Sequence, residues 1–425
     1  MTYINELIDF IKASPTSYHT VATVKAVLMA AGYTEVFEND PHSFADGGNH
    51  FVIRGGSSII AFKGRGKGFM ICASHSDSPS FKLKDELSGA SYTRLATEKY
   101  GGMIHYSWLD RPLSLAGRVV VKTPEGIATK LVNIEKASLV IPSVAIHLNR
   151  GVNDGYKFNP ATDLLPLTGG ADAKGEIMAM IAAFSGVSVN DILSHDLFLY
   201  NAERGRVVGI KDEYILSPRI DDLGCVYSSL RAFINAPASD KCCAVLAVFD
   251  NEEVGSETKQ GASSTFLPMT LSAIAGGGLK YSSMLSNSFM VSADNAHALH
   301  PNHPDLYDGT NAPVLGGGVV VKYNANQRYT TDAISDGIFS TLATRCNINL
   351  QKYSNRADML GGSTLGSIAN TRVSVSTVDV GLPQLAMHSA NETAAVKDIA
   401  DMVAVLTELY SCGLVKNGDD ISIVK

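Results

Sequence analysis

Strands and helices alternate in two separate stretches of this chain, and neither stretch carries enough strands to make a sheet alone. The first runs from residue 1 to about 85 and the second from about 217 to 425. The intervening segment holds short strands and few helical periods. This interrupted alternation is the strongest constraint on the fold. Strands that alternate with helices bury both faces, so they build a mixed, mostly parallel sheet sandwiched by helices. We therefore expect one discontinuous α/β domain, residues 1–85 plus 217–425, with a β-rich domain of residues 86–216 inserted into it.

Local patterns fill in this outline. Val21, Val24 and Leu28 recur at helical spacing after Ser17, which can cap, and Gly32 can end the turn. "AGRVVVKTPEGIATKLVNI" reads as a hairpin around Pro-Glu-Gly. Past residue 220, Leu223, Val226, Leu230 and Phe233 mark a helix, and "CCAVLAVF" and "SFMVSA" mark strands. Ile334, Ile338 and Leu342 mark a further helix face, followed by the strand "RVSVSTVDV". A last helix carries Val396, Ile399, Val403 and Leu406 and can stop at Gly413.

A chain of 425 residues exceeds the ~250–300 that one core usually serves, which agrees with two domains. The net charge of −7 argues against a nucleic-acid binder, which would show a basic excess. No run of ~18 apolar residues predicts a membrane span. The start, "MTYINELIDFIK", carries early acids and reads as an amphipathic helix, not a secretory leader. The six cysteines form no C-x-x-C pair and most lie in apolar segments, which predicts reduced, buried thiols in a cytoplasmic protein.

Chemistry collects where the apolar runs end. In open α/β sheets, ligand sites lie beyond the carboxyl ends of the strands. His75 and Asp77 follow "GFMICAS", Glu252 and Glu253 follow "AVLAVF", and Asp294 follows "SFMVSA". His388 falls in a loop after the last strand, and Asp221 opens a helix in "SPRIDDLG". Two imidazoles and several carboxylates, with no sulfur, suit zinc, cobalt or manganese. His75, Asp221, Glu253, Asp294 and His388 can supply one bridging and two terminal ligands for each of two divalent ions. Glu252 then remains beside a ligand, free to take a proton from water. Asp77, two residues from His75 on the same extended face, can orient its ring. Taken singly, each residue is more ordinary: a lone histidine is usually structural and an exposed Glu pair usually solvated. His297, His300 and His303 tempt a further zinc assignment, but in a loop they are expected to be surface or supporting residues.

Eight ordered motifs go further. "ASHSDSP", "DRPLSLAGR", "IPSVAIHLNR", "SPRIDDL", "FDNEEVGS", "SADNAHALHPN", "KYNANQRY" and "LPQLAMHS" resemble the aspartyl aminopeptidase family across almost the whole chain. The resemblance implies a cytosolic exopeptidase with two metal ions, zinc first, that removes N-terminal Asp or Glu from peptides. It implies a zinc-peptidase-like fold whose inserted domain mediates dimerisation, and a homo-oligomer, commonly a dodecamer built from dimers. By position, His75, Asp221, Glu253, Asp294 and His388 are implied metal ligands with Asp221 bridging, and Glu252 the general base. His147 is implied to hold substrate in a neighbouring subunit, and Lys322 to pair with an acidic substrate side chain. Two departures stand out: Asp222 where the family usually has Asn, and His105 where it tends to have an aromatic residue. A related dinuclear aminopeptidase of neutral or broad specificity is the alternative. A binding protein without catalysis would need a broken ligand set, and this one is complete.

Overall fold

The computed structural model describes residues 2–44 and 48–425. These fall into two compact units. The first comprises residues up to 77, 206–387 and 392–425; the second comprises 78–205 and 388–391.

Among the described residues of the first unit, nine strands make the main sheet. They are β1 (Thr34–Glu35), β2 (His50–Arg54), β3 (Ser58–Lys63), β4 (Phe69–His75) and β5 (Cys243–Phe249). The others are β6 (Phe289–Ala293), β7 (Val319–Tyr323), β8 (Leu350–Ser354) and β9 (Ser376–Gly381). Their spatial order is β1-β2-β3-β5-β4-β6-β9-β7-β8. The central strands β5, β4, β6 and β9 are parallel, with Phe249 opposite His75, Ser292 opposite Ala73 and Asp379 opposite Ser292. Four strands therefore end along one edge. β7 is antiparallel to β9 and β8 is parallel to β7, so the sheet is mixed.

Successive side chains of a strand point to opposite faces, and both faces here are covered. Met70, Cys72, Leu246 and Val291 pack with helices α1 (Thr2–Ala13), α2 (Ser17–Ala30) and α3 (Ile220–Asn235). α4 (Ala333–Arg345), through Ile338, Phe339 and Leu342, joins the same core. Ile71, Val245 and Met290 face the other way, against Phe266, Leu271 and Leu365 of α5 (Leu365–Arg372). Each fully buried Val, Leu or Phe contributes ~1.5–3 kcal/mol of hydrophobic stabilisation. Ile334, expected on the packed face of α4, is instead 54% exposed. It lies in the first turn, where the helical period has carried it off the face centred on Phe339.

α3 is held along its length and at its C-terminal end. Leu223, Val226, Leu230 and Phe233 anchor its length in the core. At its C-terminal end the buried Lys63 amine donates to the carbonyls of Phe233 and Ala236. A cation there complements the helix dipole and satisfies carbonyls that the helix leaves open. Burial lowers the Lys63 pKa to about 8. The cysteines are free thiols, buried except for a half-buried Cys346, and burial raises the Cys242 and Cys412 thiols to about 12.

The second unit has its own antiparallel six-stranded sheet. The long strands Leu113–Thr123 and Ile192–Asn201 pair at its centre. Phe81, Leu95, Trp108, Val119 and Leu197 form its core.

Gly381 closes β9 where the backbone comes close to the start of the Asp294 loop. A Cβ at this position would lie 2.2 Å from the Asp294 carbonyl oxygen. Gly381→Ala is expected to destabilise the protein by ~1–3 kcal/mol, the usual cost of overpacking. Thermal denaturation should show a Tm lower by several degrees.

Candidate metal centre

The shared edge of β4, β5 and β6 brings the acids and histidine of the first unit together. His75 is the last residue of β4 and 1% exposed. β5 ends opposite it, and the chain turns through Asn251 at φ +65° into a short 3-10 turn, Glu252–Val254. Gly255 leaves that turn at φ +100°, a conformation that costs glycine little. Asp294 directly follows β6. Asp221 and Asp222 occupy the start of α3, where neither has helical dihedrals. In a regular helix consecutive side chains diverge by 100°, so this departure lets both carboxylates approach one imidazole.

The His75 Nε2 lies 3.4 Å from Asp221 Oδ1 and 3.8 Å from Asp294 Oδ1. Its Nδ1 is 3.1 Å from the Asp77 carbonyl oxygen and 3.4 Å from Asp77 Oδ1. The backbone N–H of His75 donates to Asp222 Oδ2. Donor atoms of His75, Asp221, Asp222 and Asp294 all lie within 4.8 Å of one another, as do those of His75, Glu252 and Glu253. The Asp77 carboxylate also accepts from the N–H groups of Glu252 and Glu253, at 3.1 and 3.2 Å. One aspartate thus touches the imidazole and fixes the turn that presents both glutamates. Outside this group, the buried Glu392 accepts from the Asp221 N–H at 2.9 Å.

The electrostatics match a cation site. Burial raises the pKa of Glu253 well above the usual glutamate range, with Asp221 adding to the effect. Asp222 is raised likewise, by burial and then by Asp294 and Asp221 against the opposing pull of His75. Glu252 is pushed up to about 8, chiefly by burial. For His75, burial disfavours the imidazolium, yet Asp222, Asp221, Asp294 and Asp77 outweigh it and raise the pKa. Crowded buried anions need compensating positive charge. An oxygen- and nitrogen-rich donor set with no thiolate fits zinc, cobalt or manganese.

Lys322 lies on β7 and is 2% exposed. Its Nζ donates to the carbonyls of Asp294 (2.9 Å) and Asn295 (3.2 Å) and sits 5.2 Å from the Tyr329 ring centre. Burial opposes its charge, but Asp294, Tyr329 and Asp379 prevail and raise its pKa.

His388 belongs to the second unit, where its Nδ1 meets the Gly102 carbonyl oxygen at 2.5 Å. His147 is exposed in a turn of the same unit, between exposed Ile146 and Leu148. His297 packs against the Tyr353 ring, and the rings of His300 and His303 lie 5.1 Å apart. None of these three joins a candidate metal group among the described residues. Sequence reasoning missed Glu392 and the double contact of Asp77. Neither has a signal in spacing, because both act on backbone N–H groups.

Known proteins resemble this chain along its length. A family profile described as Aminopeptidase I zinc metalloprotease (M18) matches residues 10–410. A "Probable M18 family aminopeptidase 2" of Clostridium acetobutylicum is 42% identical over 429 residues, covering 97% of this chain and 99% of that protein. A cryo-EM structure of the Ape4 and Nbr1 complex aligns with a TM-score of 0.93 and 35% identity, over 96% of this chain and 85% of that one. The S. cerevisiae mApe1 dodecamer aligns with a TM-score of 0.84 and 26% identity, over 96% and 95% of the two chains.

The raised carboxyl pKa values carry a pH dependence for the metal-free protein. An acid whose folded pKa exceeds its unfolded value stabilises the fold at low pH and loses that contribution as pH rises through the folded pKa. For Glu252 the window runs from its ordinary 4.5 up to about 8. Thermal melts of chelator-treated protein should give a lower Tm at about pH 8 than at about pH 6. Added zinc should raise Tm more at the higher pH.

Proposed function

The chain belongs to the M18 family of zinc aminopeptidases, and we propose that it removes N-terminal Asp or Glu from peptides. The observation that carries the acidic preference is the buried Lys322 ammonium. It has three donors, and two of them serve the Asp294 and Asn295 carbonyls. The ammonium also lies 3.9 Å from Asp294 Oδ2, so a substrate carboxylate would share its charge with that aspartate. A desolvated ammonium favours an acidic side chain and repels Lys or Arg.

The proposed ligand set is His75, Asp221, Glu253, Asp294 and His388, which would hold two divalent ions, with Asp221 proposed as the shared ligand. Zinc is the proposed ion, in keeping with the family, with cobalt or manganese as substitutes. Bound ions of this kind supply Lewis acidity and lower the pKa of water toward ~7. The chain's own residues do the rest. Asp77 orients the His75 ring and pins the Glu252–Glu253 turn. Glu252 is the proposed general base. One of its carboxylate oxygens takes a proton from the attacking water and passes it to the departing amine. A base works best with a pKa near the operating pH, and burial moves Glu252 in that direction. Asp222 adds negative charge around His75 and is proposed to strengthen cation binding.

His147 is proposed to hold the substrate carbonyl in the site of a neighbouring copy, within a dodecamer built from dimers. Support comes from its exposure and from the dodecameric mApe1 relative. A cytoplasmic location is proposed from the free thiols. No helix among the described residues is long and apolar enough to cross a membrane.

Two outcomes test this reading. Glu252→Gln is expected to keep its metal content while turnover falls at least ~100-fold, measured by elemental analysis and steady-state kinetics. Lys322→Ala is expected to cut cleavage of Asp- and Glu-peptides far more than cleavage of Leu-peptides. Equal losses across such a panel would assign Lys322 a purely structural role and favour broad specificity.

A further inference from the structure

Asp379 is fully buried in the middle of β9, yet the chemistry above gives it no task. Its strand register places it in a row with other functional side chains. Ser292 of β6 is its direct partner on one side. On the other side Val380 faces Val321, so the next position of the antiparallel ladder sets Asp379 opposite Lys322. Lys322 in turn pairs with Tyr353 of β8. Paired residues share a face, so the four side chains cross the sheet in one row. The row lies two residues before Asp294, on the same face of β6.

The carboxylate of Asp379 reaches two irregular segments. Oδ2 accepts from the N–H of Thr330 at 2.6 Å and from its hydroxyl at 2.7 Å. Oδ1 accepts from the Thr364 hydroxyl at 2.5 Å. The Asp379 N–H donates to Thr331 Oγ1. Thr330 follows Tyr329, the ring against Lys322. Thr364 ends the segment 355–364, whose Asn355, Met359 and Gly361 line a cavity of about 240 Å³ with Tyr353 and His297. Tyr353 and Tyr329 are themselves in ring contact, with centres 6.3 Å apart. Gly366, in the first turn of α5, allows this close approach: a Cβ there would lie 2.8 Å from Asp379 Oδ1 and 2.6 Å from Ser292 Oγ.

We infer that Asp379 is a positioning residue that clamps segments 324–332 and 355–364 together and so holds in shape for the substrate the cavity lined by Tyr353, the strand neighbour of Lys322. The inference rests on the reading that substrate binds next to Lys322. Hydrogen bonds to an ionised carboxylate are about twice as strong as neutral ones, so one buried anion can hold both segments. Asp379 touches no reacting atom in this account. Its effect is on binding, transmitted through Thr330 and Thr364.

Because Asp379 is wholly buried, the experiment leaves its carboxylate in place and removes a partner hydroxyl, first that of Thr364, itself 2% exposed. Thr364→Val removes the hydroxyl at nearly constant volume, and Thr364→Ser keeps it. In the zinc-loaded enzyme, Thr364→Val is expected to raise KM about 10-fold, a scale set by loss of substrate positioning, with kcat within about twofold. Zinc content should be unchanged, and amide hydrogen exchange in 355–364 should accelerate. Thr364→Ser should restore both KM and exchange. Thr330→Val provides the same reading on the other segment. Unchanged KM in both valine variants, or a serine variant no better than valine, overturns the inference. Kinetics are measured on whichever N-terminal residue the wild type cleaves fastest. A wild type that prefers neutral residues then refutes the acidic preference and leaves the clamp test intact.

Discussion

Mutual repulsion among buried carboxylates is the constraint that the first unit of this protein has to overcome. Asp221, Asp222, Asp294, Glu252 and Glu253 all crowd one imidazole, and burial holds several of them above the usual acid range. A fold tolerates such a group only if the rest of the structure forces it together. The force comes from the parallel strands, whose apolar residues pack on both faces and whose ends must therefore coincide. Hydrophobic burial across the sheet assembles what electrostatics alone would scatter, and a divalent ion is the natural compensation.

The neighbours of this cluster work mostly through backbone groups. Asp77 holds two amides of the glutamate turn, Glu392 holds the amide of Asp221, and Asp222 holds the amide of His75. Lys322 donates to the consecutive carbonyls of Asp294 and Asn295. Each contact fixes a segment of chain, so the acids keep their places even though they repel. Preorganisation of this sort lets charge be stabilised without rearrangement during a reaction.

Much of this arrangement could be read before any coordinates. Strand runs such as "AVLAVF" announce themselves by continuous apolar residues, and the polar residues that end them fall on one edge by topology. His75, Asp294 and the glutamate pair were visible for that reason. Asp379 was not, because an acid inside "STVDVG" carries no mark separating a clamp from an ordinary strand residue. Lys322, inside "VVVKYN", would read as solvated without the family resemblance, yet it is buried. The gathering of both Asp221 and Asp222 was equally hidden. It depends on non-helical dihedrals at the head of α3, which no periodicity reports.

The cysteines lead to a practical consequence. Cys72, Cys225, Cys242 and Cys243 lie in the core next to strands or helices that carry the site, and burial raises each thiol's pKa. Thiolates are the reactive species, so alkylating reagents should find these sulfurs silent in the native particle. They become reachable only when the surrounding packing opens. The protein thus carries an internal clock: the rate at which sulfhydryl label accumulates reads out how often its core breathes.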